Sequence, residues 1–492
     1  MKMNQRVLAC AWVLIAMVST SVHAQSTIKA SPASLHPNLP VTVSGSGFAD
    51  GEAIDVYIDT VDTALLVSSG TGTFSGPVTV PASASPGAHY ITAIGRHSGD
   101  AAQVAVTVTT SWFEAGFGAA HLNWNPYENT IGAGNVSQLG TLWNQSAANT
   151  GGGTGSTPAI VGGVAYFTTL QGIQARSTTT GALIWKKQTT QRFYASPAVI
   201  SGVVYAGSYT GTFYALNATT GATIWSRSFG SNSIILSSPM VMNGVVYCAE
   251  YESGTVYALS ISNGNILWST TLNGSVDSSP VVVAGTLVIG GGNSIYGLNA
   301  STGVIDWQYT TGAPVESTAA IAGGVAYIGS NDDYVYAIHV EGNNPGTLLW
   351  RSQTQAAIGA ATPAVANGQV FIGSGDGTMY SFDARTGSVD WTAAVGSSIN
   401  SATVANGVVY ASAEAGEILA FNASYGQILG SWALGYSYYG GSSISDGTVY
   451  INSYNAGLYA LSVLAGVDAV KAKGAPEIES LHPDTRLKAI EQ

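Results

Sequence analysis

The chain has 492 residues, a formal net charge of -12 and only 9% charged residues, against roughly 25% in typical soluble domains. That balance excludes nucleic-acid binding through phosphate neutralisation, which needs clustered Lys and Arg. Gly, Ser, Thr and Asn supply the polar surface instead, a profile of turn-rich β structure, and no run beyond the N-terminus reaches the ~18 apolar residues of a membrane span.

Residues 1–24 have the pattern of a signal peptide. Lys2 and Arg6 give a positive start, Val7 to Val18 is apolar, and Val22-His23-Ala24 supplies small residues at the two positions a signal peptidase reads. Cleavage near Ala24 predicts a secreted or periplasmic protein. It takes the formal charge from -12 to -14, because Lys2 and Arg6 leave with no acidic residue. Cys10 lies near the front of the apolar run, not at its end where lipidation would need it. Cys248 is then the only cysteine, so the fold has no intramolecular disulfide and relies on a large core.

Residues 25–110 alternate short β-rich runs with turn clusters: Val41-Thr-Val, Ala53 to Ile58, Pro77 to Val80, His89 to Ile94 and Gln103 to Val108. Period-two alternation broken by Gly, Pro and Ser predicts a small β-sandwich. The stretch from Ser31-Pro32 through Val41-Thr-Val-Ser-Gly-Ser-Gly-Phe48 and Gly51 to Tyr57 resembles the immunoglobulin-like IPT/TIG modules of bacterial surface proteins. That resemblance implies a spacer or adhesion module without catalytic residues.

A connecting segment, 111–135, leads into a repeat over 136–464. Tryptophans recur at Trp143, Trp185, Trp225, Trp268, Trp307, Trp350, Trp391 and Trp432, at intervals of 39 to 43 residues. Between them comes a Ser/Thr-Pro-hydrophobic strand, then a Gly-Val-Val-Tyr strand, a Tyr-Ala-Leu-Asn strand, and a Thr-Gly turn into the tryptophan strand. Four short strands per ~40 residues is the signature of propeller blades. Middle strands begin at Gly163, Gly202, Gly244, Gly285, Gly324, Gly368, Gly407 and Gly447, which gives eight units. The last lacks a tryptophan strand and the first tryptophan strand lacks a blade, so the Trp143 strand is predicted to complete the last blade and leave no long sheet edge unpaired. The fold class is therefore all-β, an eight-bladed β-propeller preceded by a small immunoglobulin-like sandwich, with a polar tail over 465–492.

The units Tyr214 to Trp225, Tyr296 to Trp307 and Tyr380 to Trp391, and the lead-in Asn125-Pro126-Tyr-Glu-Asn129 to Leu139, resemble the pyrroloquinoline-quinone (PQQ) propeller superfamily. The resemblance implies that the eight tryptophans dock each blade on its neighbour, in keeping with the area one large ring can bury between sheets. Trp112 and Trp124 are expected to pack the sandwich or the lead-in strand onto the ring.

No zinc, serine-nucleophile or phosphate-loop motif is present, and the histidines have no metal-ligand spacing. Gly375-Asp376-Gly377 and Asn331-Asp332-Asp333 resemble calcium-loop fragments but suit hairpin turns better. In register, the position eight residues before each middle-strand glycine holds Gly155, Tyr194, Leu236, Asp277, Glu316, Ala360, Ile399 and Tyr439. Asp277 and Glu316 fall in neighbouring blades and are expected to face one mouth of the channel, with Arg192, Tyr194, Asn400, Tyr438 and Tyr439 close by. Such a group suits a cation, a sugar or acid–base work; it equally suits solvated residues at a channel mouth.

For quinoprotein dehydrogenases the resemblance implies the quinone over the channel with calcium, and in some members a disulfide between adjacent cysteines, which this chain cannot form. Long inserted loops, which commonly carry catalytic groups, are nearly absent, the longest running from His339 to Gly346. Three functions follow. The first is an exported non-enzymatic binding or scaffold protein for a protein, glycan or small molecule. The second is a PQQ- and calcium-dependent oxidoreductase, and the third an envelope assembly scaffold.

Overall fold

The computed structural model describes residues 25–463 except 154, 231, 435–439 and 455–456; the signal segment and tail read from the sequence lie outside the described residues. Strands β1 (Thr27–Ser31), β2 (Ser34–Leu35), β3 (Pro40–Ser46), β4 (Ala53–Ile58), β5 (Val61–Val67), β6 (Phe74–Thr79), β7 (Gly87–Gly95) and β8 (Ala101–Val108) form two sheets, β1-β3-β6 and β2-β8-β7-β4-β5. Alternate residues such as Val41, Val43, Ile54, Val56, Ile91 and Ala93 meet between them as one apolar layer. The five β-rich runs of the sequence fall in β3, β4, β6, β7 and β8. The others escaped notice because β2 is two residues long, while Lys29 and Asp62 break the apolar pattern of β1 and β5.

Every later sheet is a four-stranded antiparallel blade, and the seventh gains a short fifth strand. Each blade opens on a three-residue inner strand such as Ala198–Ile200 (seven residues in blade 7, Ile399–Ala405), turned into the second strand by two residues of positive φ. Asn243 at +50° with Gly244 at +81°, and Asn367 at +50° with Gly368 at +79°, are type I′ geometry, whose twist matches that of the strands it joins. The glycine that marks each middle strand in the sequence is thus the second turn residue.

The tryptophans explain the rest of the repeat. Trp185 Nε1 donates to the Ala218 carbonyl of the next blade at 2.7 Å, and Trp225, Trp268, Trp350 and Trp391 donate likewise to Ile261, Ala300, Ala384 and Ala423. The glycine of the following Thr-Gly turn lies beneath the ring: a Cβ on Gly221, at φ +70°, would sit 2.6 Å from a ring carbon of Trp185. Trp307 is the exception. Its indole N–H is buried without a partner among the described residues, facing the next blade, where the longest loop, ending at Gly346, replaces the short turn.

Ring closure is explicit. Leu139–Gln145 pairs antiparallel with Gly457–Val463 as the outer strand of the eighth blade. Trp143 donates to Thr178 in blade 1, and Trp432 donates to Leu139. Apolar clusters lie between neighbouring blades all the way round, the one between blades 8 and 1 holding Trp143, Ile160, Phe167 and Tyr450. Cys248 is a buried free thiol in the layer between blades 2 and 3, its pKa pushed far up by burial. No helix of the described residues is long and apolar enough to cross a membrane.

Candidate functional site

The inner strand of each blade has one free edge facing the channel, and an unpaired edge is exposed backbone polarity that must find a partner. Residues 112–125 supply it. Trp112 exchanges backbone hydrogen bonds with Ile160 of blade 1, and the Phe113 carbonyl accepts from Val199 of blade 2. Glu114 accepts from the backbone N–H of Val241 in blade 3. Ala120, Leu122 and Asn123 accept from Ile321, Val365 and Val404 of blades 5, 6 and 7. Trp124–Asn125 pairs in parallel with blade 7, and Asn125 Nδ2 donates to Ile444 of blade 8. The segment travels once round the axis and plugs the channel.

Above the plug is a cup of about 760 Å³. Its base is formed by Ala115, Gly116, His121 and Asn123, and its wall by the residues that precede the inner strands. The first tier of that wall is Thr157, Ser196, Ser238, Ser279, Thr318, Thr362, Ser401 and Gly441, of which Thr157, Ser196, Ser238, Ser279 and Thr362 stand before a proline as the Ser/Thr-Pro element. Their hydroxyls fasten the blades: Thr157 N–H donates to Ser196 Oγ at 2.8 Å, Ser196 to Ser238, Ser238 to Ser279, and Ser279 to Thr318. Thr362 donates to Ser401, and Gly441 donates to Thr157 where the ring closes. Two steps lack this bond among the described residues: Ser401–Gly441, where Gly441 has no side chain, and Thr318–Thr362, where Ser317 Oγ donates to the Ala361 carbonyl instead.

The second tier, nearer the mouth, contains Gly155, Tyr194, Leu236, Asp277, Glu316 and Ala360. These residues lie in the loops just before the inner strands. Asp277 and Glu316 are partly buried, and neither carboxylate has a hydrogen-bond or ion-pair partner among the described residues. Burial first, and then the charge of Glu316, pushes Asp277 up to about 6. Tyr194 meets Tyr209 edge to face at 5.3 Å between centroids, and Tyr454 also lines the cup.

The other residues of the expected group lie elsewhere. Arg192 is exposed to solvent and outside the lining; its carbonyl accepts the Tyr209 N–H. Asn400 is 7% exposed within the blade 7 inner strand, with its Nδ2 unpaired. Blade 7 departs from register because its inner strand starts early, at Ile399, and shifts register between Ile399 and Ala402, which withdraws Ile399 and Asn400 and leaves Ser401 on the wall. Tyr438 and Tyr439 lie outside the described residues. The two calcium-loop look-alikes sit in turns: Asp376 accepts from the Thr378 N–H and the Tyr380 hydroxyl, and Asp332 from the Tyr336 hydroxyl.

The plug adds groups that the repeat register could not disclose. His121 is 7% exposed, and neither ring nitrogen is hydrogen-bonded among the described residues. Gly116 makes room for it, since a Cβ there would lie 2.3 Å from the imidazole. Burial lowers its pKa to about 4, so the ring is neutral near pH 7. Glu114 is 2% exposed with Oε2 unpaired, and burial raises its pKa to about 8.

The sandwich joins the ring at the other face. Asp446, in the turn that leaves the inner strand of blade 8, accepts the Thr110 N–H at 2.7 Å, and Asn129 Nδ2 donates to the Ala82 and Ala84 carbonyls. The cup residues precede the inner strands, so the mouth opens away from the sandwich.

Comparisons with known proteins agree with this architecture. The PQQ_2 family model, described as outer membrane protein assembly factor BamB, matches residues 128–239, 211–344 and 332–468. The outer membrane protein assembly factor BamB of Moranella endobia is 31% identical over 150 residues, 28% of this chain and 37% of that protein, so the match spans little more than a third of the relative's length. Among solved structures, the quinohemoprotein alcohol dehydrogenase of Comamonas testosteroni has a TM-score of 0.62 at 16% identity, covering 72% of this chain and 80% of that one. BamB of Moraxella catarrhalis has 0.56 at 18% identity, covering 66% and 97%; both show the fold alone. With the family model extending across the ring from residue 128 to 468, the chain belongs to the PQQ-like repeat family described as outer membrane protein assembly factor BamB.

Proposed function

We propose that the chain is an exported, non-enzymatic binding protein of the bacterial envelope, with the propeller as recognition platform, the cup as its site and the sandwich as an IPT/TIG-like spacer. The observation that carries this reading is the plugged channel. A preformed concave site with a few convergent polar groups is the usual form of a ligand pocket, and Asp277, Glu316 and His121 stand in it without protein partners. They are not joined to one another by hydrogen bonds as a nucleophile–base pair would be.

The quinone of the dehydrogenases suits this cup poorly. It is a tricarboxylate, whereas the described lining holds two carboxylates and no Lys or Arg. Incubating the purified protein with the quinone and calcium, and following absorbance and dye reduction, tests the proposal. No turnover is expected, and clear dye reduction would sink the non-enzymatic reading.

A second reading, an envelope assembly scaffold, is favoured by the rim. The outer strands of all eight blades carry exposed aliphatic residues one to four positions before the tryptophan, among them Leu142, Leu183, Ile224, Leu267, Ile305, Leu349, Val389 and Ile428, and where such residues join into a patch they mark interaction sites. Relatives named as outer membrane protein assembly factors point the same way. Pull-down of outer-membrane assembly components should succeed with the native rim and fail when Leu183, Ile224 and Leu267 are changed to Ser.

A further inference from the structure

We infer that the cup binds a small organic ammonium ligand, an amine or polyamine, held between Asp277 and Glu316 with its remaining N–H groups toward His121. The inference rests on the reading of the cup as a binding site and names the ligand class. Three features of the chain lead to it.

The first is uncompensated negative charge. Asp277 and Glu316 stand on adjacent blades, close enough for the charge of one to act on the other. Neither has a donor among the described residues, and no Lys or Arg lines the cup. Partly desolvated carboxylates that lack partners are costly, and a cationic ligand would offset that cost. The second is independent of the acidic pair. His121 forms part of the base, more than nine-tenths buried, with Nδ1 unpaired among the described residues. A neutral imidazole has one nitrogen that accepts, so it complements a donor-rich ligand. The third is aromatic. Tyr194 and Tyr209, fixed edge to face at 5.3 Å, both line the cup, and tyrosine faces attract organic cations.

An inorganic cation fits less well. Among the described residues no three of His, Cys, Asp and Glu converge on one point, and two carboxylates are a sparse shell for a metal that takes six or more oxygens. An ammonium ion needs only acceptors within hydrogen-bond reach, and a cup of about 760 Å³ holds an extended polyamine chain.

The test is titration calorimetry of the full chain with spermidine. Spermidine should bind, and Asp277→Asn and Glu316→Gln should each weaken it about tenfold or more, the scale of one charge-assisted hydrogen bond. Asp306→Asn, an exposed carboxylate on the outer strand of blade 4, should leave binding unchanged. Thermal melts establish that each variant folds. If one does not, protection of Asp277 and Glu316 from carbodiimide labelling by spermidine on the wild-type chain gives the same reading. Equal weakening in all three variants, or absence of protection, means surface attraction to an acidic protein and overturns the inference. No spermidine binding alongside cup-dependent binding of an uncharged saccharide overturns the ammonium assignment while the cup stands as a site. Quinone-dependent turnover overturns both.

Discussion

Changing Glu114 to Gln separates the electrostatics of the plug from its packing. Glu114 is buried with one carboxylate oxygen unpaired, and burial raises its pKa from the ordinary 4.5 to about 8. Below pH ~4.5 the side chain is neutral in both the folded and unfolded chain, and the full stability is present. As pH rises from there to about 8 the unfolded chain gives up this proton while the folded one keeps it, so stability is progressively lost; above about 8 the loss levels off. A gap of about 3.5 pH units at ~1.4 kcal/mol per unit gives a total of about 5 kcal/mol. Gln fills the same space, keeps an acceptor for the Val241 N–H, and does not ionise. Urea melts followed by tryptophan fluorescence should therefore show little difference between wild type and Glu114→Gln at pH 4. The variant should be increasingly more stable toward pH 8.5, by several kcal/mol. Other titrating groups are common to both chains and cancel in the difference. A stability difference that is flat with pH would refute the burial of an isolated carboxyl under the cup.

The neighbouring histidine gives the opposite slope. With its pKa lowered to about 4, His121 in the unfolded chain takes a proton below ~6.5 that the folded chain refuses, so wild type should lose about 3 kcal/mol relative to His121→Asn as pH falls from 7 to 4; parallel melting curves would contradict this. Gly221→Ala places a Cβ against Trp185 at a positive φ and should cost at least ~2 kcal/mol in the same urea assay, whereas a loss below ~0.5 kcal/mol would deny the docking role of the Thr-Gly turn. Ala284 occupies the first position of a type I′ turn at φ +48°. Ala284→Asn should raise stability by up to ~1 kcal/mol, and a lowered melting temperature would contradict that assignment.

Much of the propeller was legible because each blade solves the same packing problem with the same residues. An indole needs a carbonyl on the next blade and a glycine beneath it, and a two-residue hairpin needs positive φ twice, so Trp, Thr-Gly and X-Gly recur at fixed spacing. The same periodicity brought Tyr194, Asp277 and Glu316 to one tier of the cup. It misplaced Asn400 because the inner strand of blade 7 begins early, at Ile399, and shifts register before Ala402, and it misplaced Arg192 because a residue beyond the tier reaches solvent. Of the plug, only the packing of Trp112 and Trp124 against the ring was legible. Residues 112–125 have no period of their own, and the partner of Glu114, the Val241 N–H, lies more than a hundred residues away in sequence. The hydroxyl tier was visible as Ser/Thr-Pro, but its blade-to-blade bonds emerge only once the ring is closed.

The cup, on the reading proposed above, is where this protein recognises its ligand. The most direct measurement is a binding screen of glycans and small molecules against the wild-type chain, with every hit retitrated on an Asp277→Ala/Glu316→Ala variant of matched thermal stability. Binding should be lost in the double variant. Hits that bind the variant with undiminished affinity would place recognition elsewhere on the ring and contradict that reading.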